Sequence, residues 1–446
     1  MVAARRDHHA RVTINGCQGR GGAGAACRKC KVEDKEHLNQ VNAHVLHAIL
    51  DAAQDRAIVA SRDIYDENGV KLLAHSMPLT GVLQQRLLER RLRVPLEASL
   101  RFEAGLDKNQ LRSMFTRLMD SGHALVSPLR PWARDVDTQI TSLPLDPVVQ
   151  FLLTTMQTNT PRVFEHAIQA MALAGALVAR TGAGPGDIRQ AMLAGLLHDL
   201  GELYLDPALI GAGDVLDLHQ YRQVATHPRL GESLLSGLAH YPLALSQAVA
   251  EHHERLDGSG YPAMRQADRL STLGRMLCVV EATLGILALP GQGWARASFA
   301  LRVIPGEFDS HWMGLVVRAA ADMPLPGNAP QGDALERAWA GLGRSSESMQ
   351  LAADHAARLA GSTRPVVREA AQSARHLLER LRAGWNDIGL WAGAAGSGQS
   401  AEEVVMADEE LRYRLGALER NCLWHLPQVG DADTRELAPL WVVLGA

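Results

Sequence analysis

The chain has 446 residues, 47% of them hydrophobic, with 45 basic against 49 acidic side chains and a formal net charge of −4. That near-balance gives no bulk attraction to duplex nucleic acid or an anionic membrane, and no apolar run reaches the roughly 18 residues of a transmembrane helix, so no membrane insertion is expected. Five scattered cysteines make no disulfide framework and point to the cytoplasm, and the length predicts two or three folded units.

Residues 1–35 are rich in Gly, Ala and Arg without hydrophobic periodicity, which predicts a disordered tail. Arg5, Arg6 and His8 are not followed by an apolar stretch, so no signal peptide is expected. Cys27 and Cys30, with Cys17 upstream, are half a zinc site without a second pair nearby. Residues 36–145 read as a small α+β module. Val41, Val45, Ile49 and Ala53 share one face of a helix over 36–57, and residues 57–74 turn strand-like around Glu67-Asn68-Gly69, a hairpin signal. Thr80 is predicted to cap a helix carrying Leu83, Leu87, Leu88 and Leu92, and a further amphipathic helix spans 107–121.

From residue 146 to about 325 the pattern is helical throughout. Thr160-Pro161 opens a helix through Phe164 to Leu177, and Asp187 is predicted to cap the next, which ends on His198-Asp199-Leu200-Gly201. His227-Pro228 precedes another helix, Pro242 opens one that ends on His252-His253, and residues 272–289 form one containing Glu281. Residues 326–446 hold three helical stretches, near 331–360, 364–385 and 401–424, with Trp339, Trp385 and Trp424 and a linker-like break at Gly393–Gly398.

The candidate ligands are His166, His198, Asp199, His227, His252, His253 and Glu281. A single histidine on an apolar helix is ordinarily a satisfied core or surface residue. A run of them in successive helices, with His-Asp and His-His dipeptides, is a donor set for cations at neutral pH, and one carboxylate can bridge two of them. The glycine-rich turn Asp257-Gly258-Ser259-Gly260-Tyr261-Pro262 follows directly and suits the approach of a phosphate.

His198-Asp199 with Gly201, His227-Pro228 with Gly231, and His252-His253-Glu254 followed by Asp257–Pro262 resemble the HD-GYP subgroup of the HD superfamily over about 160–290. The resemblance implies a mainly α protein: an all-helical HD-GYP-type domain with the small N-terminal α+β module and C-terminal helices beside it. It implies a bi- or trinuclear centre of divalent metal ions, iron or manganese, and hydrolysis of cyclic di-GMP to pGpG or GMP. His198 and Asp199 would be catalytic. His166, His198, Asp199 and Glu281 would hold one metal, and Asp199 would bridge to a second held by His227, His252 and His253. Asp257, Gly258, Gly260 and Tyr261 would face the cyclic dinucleotide substrate or a partner.

The chain departs from that family in four places. Glu202 stands where members carry a lysine near the phosphate, Glu281 replaces an aspartate, and Arg162 replaces the glutamate that trinuclear members use. The segment after Glu281 lacks the usual Arg-Pro-Tyr. Two metals at most are therefore expected. The departures keep open an alternative, a weak or inactive module that binds cyclic di-GMP or a partner protein, and a third reading in which the same centre cleaves another phosphate ester. The N- and C-terminal helices offer surfaces for a homodimer or a partner protein.

Overall fold

The computed structural model describes residues 39–210, 216–239, 241–290, 292–321, 323, 332–388, 400–426 and 428–445. Cys17, Cys27, Cys30, the predicted tail and the Gly393–Gly398 break lie outside the described residues.

Helix α1 (Ala43–Asp55) starts at Asn42, whose side chain accepts the backbone N–H groups of His44 and Val45, and it buries Val45, Leu46, Ile49 and Ala52. Strand β2 (Ile64–Tyr65) pairs antiparallel with β3 (Lys71–Leu73) around the Glu67–Gly69 turn. The Asp66 carboxylate accepts the Val70 N–H at 2.8 Å and fixes that turn. Strand β1 (Ile58–Ala60) instead pairs with β4 (Leu100–Phe102), a segment the sequence reading did not assign. The leucine helix predicted after Thr80 is shorter than expected: a 3₁₀ turn over Gly81–Leu83, then α2 (Gln84–Leu88). Thr80 makes no side-chain cap, and the backbone N–H groups of Leu92 and Arg93 donate to Asn39 and Tyr65, which holds that stretch extended. Helix α3 (Lys108–Met119) carries a capping box between Asp107 and Gln110. Two short helices, α4 (Val126–Leu129) and α5 (Ala133–Ile140), complete this part.

The helical array follows as α6 (Pro147–Asn159), α7 (Pro161–Arg180), α8 (Pro185–Leu197), α9 (Leu218–Val224), α10 (His227–Gly237), α11 (Leu243–Glu251), α12 (Thr272–Leu287), α13 (Trp294–Arg302) and α14 (Ser310–Ala321). Helix α8 is capped by Gly184 with Pro185 at its first position; Asp187 lies inside the first turn, where its charge suits the helix dipole. One set of buried apolar side chains runs from Val41 to Ala319, so the strand-bearing part and the helical array share a core across residue 145.

A second core joins α15 (Asp333–Leu359), α16 (Pro365–Ile388), α17 (Ala401–Gly416), α18 (Leu418–Leu423) and α19 (Asp431–Val442). Phe299, Val303 and Ile304, in and just after α13, belong to this second core, while Trp294 and Leu301 belong to the first. Helix α13 is thus the wall between the two. The C-terminal helices reach the neighbourhood of the candidate site through Arg380 of α16, which pairs with Asp257.

Candidate metal centre and signature loop

The candidate ligands sit mostly where helices end. His198 terminates α8 and Asp199 follows it; His227 opens α10; His252 terminates α11 and His253 follows. His166 lies on α7 and Glu281 on α12. Gly201 sets the spacing between two of these ends. A Cβ there would lie 2.1 Å from the His227 carbonyl oxygen, so only glycine lets the 3₁₀ turn after Asp199 press on the first turn of α10.

The side chains converge on Asp199. Its Oδ2 lies 3.0 Å from His198 Nε2 and 3.7 Å from His166 Nε2. Its Oδ1 lies 3.3 Å from His227 Nε2 and 3.4 Å from His252 Nε2. Each carboxylate oxygen therefore faces a different pair of histidines. Glu281 Oε2 joins the first group at 3.0 Å from His166 Nε2 and 3.3 Å from His198 Nε2. One donor atom each from Asp199, His227, His252 and His253 fits within 4.8 Å, as does one each from His166, His198 and Asp199.

The hydrogen-bond partners of the rings say which nitrogens are lone pairs. His198, His227 and His252 direct Nδ1 at the carbonyl oxygens of Gly195, Val224 and Val249, at 2.7, 2.8 and 2.6 Å. A carbonyl accepts, so Nδ1 carries the proton and, in the neutral ring, Nε2 is a bare lone pair. His227 Nε2 and His252 Nε2 nevertheless face each other at 3.0 Å. His198 Nε2 is buried without a well-angled hydrogen bond, although two carboxylate oxygens are near. Opposed lone pairs and carboxylates repel unless a positive charge lies between them. Imidazole and carboxylate donors suit a divalent transition metal, so the residues fit such an ion.

Electrostatics divides the cluster. Burial disfavours charge on His198, but Asp199 and Glu281 outweigh it and raise the imidazole well above 6.5. Burial likewise opposes ionised Glu281, yet His166 holds it well below the usual carboxyl value. Burial brings His252 down to about 4 and drives His253 well below 6.5, so both stay neutral and keep their lone pairs. Burial and then the Asp199 charge push the Glu202 carboxyl up to about 7. Glu202, partly buried on the turn after Asp199, feels the charges of the cluster, while Arg162 is exposed at the start of α7.

The signature loop is built differently. Tyr261 reaches the cluster, its ring stacked on His253 at 4.5 Å between centroids and 17° between planes. Gly260 is buried inside the loop, where a Cβ would lie 2.4 Å from the His253 carbonyl oxygen. Asp257 turns the other way. Its carboxylate, with only 3% of the side chain exposed, lies 2.9 Å from Arg380 Nε on α16 and accepts the Ser259 N–H and hydroxyl at 3.0 and 2.7 Å. Gly258 takes the left-handed conformation at φ +82° that the turn requires.

Two glutamates that the sequence reading left without a role hold this loop. Glu251, completely buried, accepts the Ser271 N–H and hydroxyl at 2.9 and 2.6 Å and pairs with Arg265 at 2.8 Å. Glu254 accepts the Ala263 and Arg265 N–H groups at 2.6 and 3.0 Å. Both carboxylates face the backbone of the returning chain and leave the cluster to the histidines.

Residues 152–286 match the HD domain family, and that stretch is an HD domain. With its histidine pair and Asp-Gly-Ser-Gly-Tyr-Pro loop, the chain is an HD-GYP domain protein. It is 29% identical over 246 residues to the cyclic di-GMP phosphodiesterase PA4108 of Pseudomonas aeruginosa, covering 52% of this chain and 57% of that relative. It is 33% identical over 88 residues to 3′3′-cGAMP-specific phosphodiesterase 3 of Vibrio cholerae, covering 20% of this chain and 19% of the relative. It is 27% identical over 117 residues to the cyclic di-GMP phosphodiesterase response regulator RpfG of Xanthomonas campestris, covering 26% and 31%. The chain thus spans little more than half the length of the first of these relatives and less of the others. Among the described residues no helix is long and apolar enough to cross a membrane.

Proposed function

We propose that the protein is a metal-dependent phosphodiesterase that hydrolyses cyclic di-GMP to pGpG or GMP, acting in the cytoplasm. The observation that carries this reading is Asp199, whose two oxygens each face a separate pair of histidines. His166, His198, Asp199 and Glu281 would hold one divalent ion, and Asp199 with His227, His252 and His253 a second, iron or manganese being the favoured metals. When bound, such ions supply the Lewis acidity that makes water nucleophilic at neutral pH and neutralises charge developing on a phosphoryl group.

The chain's own residues orient and neutralise. The Gly195, Val224 and Val249 carbonyls lock three imidazoles with Nε2 turned inward, so no rotamer search precedes each turnover. Asp199 and Glu281 balance the positive charge in the site and remain ionised at neutral pH. Tyr261, stacked on His253, closes one side of the cluster, and the loop behind it is kept in register by Glu251, Glu254 and Asp257.

Glu202 favours a second reading, a module that binds the nucleotide without turning it over. Its carboxyl, raised to about 7 by burial and the Asp199 charge, adds partial negative charge near the cluster, where a cation would help phosphate binding. Metal analysis of the purified protein alongside cyclic di-GMP turnover with added Mn(II) or Fe(II) separates the two. Two metals per chain and product formation that disappears in His198→Ala and Asp199→Ala support the enzyme. Metal-loaded protein that binds cyclic di-GMP without forming product sinks it, and faster turnover of 3′3′-cGAMP would redirect the substrate assignment.

A further inference from the structure

The C-terminal helices contribute aromatic surface at the rim of the candidate site. The chain leaving α18 presents Trp424, whose indole meets the Tyr261 ring edge-on at 6.0 Å between centroids and 66° between planes. Tyr261 in turn stacks on His253. Tyr221 of α9 approaches Tyr261 edge-on at 5.9 Å, and the Arg420 guanidinium lies 4.6 Å over the Tyr221 ring. Trp424, Tyr221 and Tyr261 are all only partly buried, so accessible aromatic surface continues outward from the histidines.

The position of Trp424 is fixed from the HD domain. Arg222, on α9 beside Tyr221, donates to the carbonyl oxygens of Leu423, Trp424 and Leu426 at 3.0, 2.8 and 2.7 Å. These carbonyls lie at and just beyond the end of α18, where Leu423 also accepts the Leu426 N–H at 3.2 Å, and one guanidinium reaches all three. Burial of the surrounding surface alone would not require a charged side chain committed to that one strip of backbone. The arrangement holds an indole one ring away from the donor cluster.

We infer that Trp424 is a base platform: the purine of a nucleotide whose phosphate occupies the histidine centre stacks on its indole. Stacking on an aromatic face is tolerant of base identity and does not involve the phosphate. Arg222 is a positioning residue for that platform. The inference rests on the proposed phosphodiesterase reading for the location of the phosphate, and it adds a residue outside the matched HD domain, residues 152–286.

Calorimetric titration of the full-length, Mn(II)-reconstituted protein with GMP and with ribose 5-phosphate isolates the base. GMP is expected to bind about 5- to 100-fold more tightly than ribose 5-phosphate. Trp424→Ala should lose most of that margin, Trp424→Phe should keep most of it, and Arg222→Ala should fall between, with ribose 5-phosphate affinity unchanged throughout. Equal affinity for the two probes in the parent protein overturns the platform, as does an intact margin in Trp424→Ala. A parallel loss of both affinities in that variant also overturns it, since that is the signature of a collapsed site. Turnover is read separately: a margin that depends on Trp424 without cyclic di-GMP hydrolysis rejects the phosphodiesterase and leaves the platform standing.

Discussion

The histidine cluster and the signature loop are adjacent in sequence and opposite in electrostatic construction. In the cluster, polar atoms face one another: two imidazole Nε2 atoms at 3.0 Å, and a carboxylate oxygen 3.0 Å from a ring nitrogen without a well-angled hydrogen bond. In the loop, the carboxylates of Glu251, Glu254 and Asp257 each find N–H, hydroxyl or guanidinium partners within the protein. A region whose carboxylates are each satisfied by neighbouring donors is a frame. A region whose donors oppose each other calls for positive charge between them, from a proton or a metal ion. The difference teaches which half of a signature carries chemistry and which half carries position.

The largest expected effect tests that contrast directly. Removing metal with a chelator should lower the thermal midpoint of the protein by several degrees, because a ligand at about 100 times its dissociation constant contributes about 2.7 kcal/mol. His252→Ala, which deletes a fully buried ligand candidate, should be much less sensitive to the chelator. Differential scanning calorimetry on both proteins, with metal content measured alongside, decides it. An unchanged midpoint in the chelated parent would mean that the opposed lone pairs are tolerated without a cation, and the contrast would fail.

The cluster was legible in the sequence because most of its members are histidines at helix ends, where the apolar period stops and a polar side chain needs a partner. His198-Asp199 and His252-His253 advertise themselves in that way. The frame was not legible, for reasons of distance. Glu251 is satisfied by Ser271, 20 residues downstream, and Asp257 by Arg380, on a helix of the second core; either partner alone looks like an ordinary surface residue. The same limit hid β4, a three-residue strand whose partner β1 lies beyond an entire hairpin, and α19, which carries Pro439 in its interior. The shared core across residue 145 was equally silent, since periodicity tells which face is buried and leaves open what buries it.

An intermediate effect probes the frame. Arg380→Ala strands the buried Asp257 carboxylate and should destabilise by about 1–2 kcal/mol, less than a fully buried pair because Arg380 is 26% exposed. Adding Asp257→Asn to that variant should recover part of the loss, and a double-mutant cycle in urea measures the coupling. Metal content should stay at the parental level in all three variants. Loss of metal in Arg380→Ala would show that the loop is part of the cluster's chemistry after all.

The smallest effect lies where the strand-bearing part touches the turn that follows Asp199. Tyr204 donates its hydroxyl to Glu97 at 2.5 Å, and Asn42 donates to the Tyr204 carbonyl at 3.2 Å. Burial raises the Glu97 carboxyl above its ordinary value of 4.5, against the opposing hydrogen bond from Tyr204. A raised folded value means that the neutral form's contribution is full below the unfolded value, about 4.3, and is lost as pH climbs through the folded one. Glu97→Gln keeps a neutral acceptor for Tyr204 at every pH. The parent should therefore lose stability relative to the variant as pH rises above the unfolded value of about 4.3, read from urea midpoints over a pH series. A difference that stays constant across that series would mean that Glu97 ionises in the folded protein as readily as in the unfolded chain, and that this contact is a satisfied frame like the signature loop, with no titrating component.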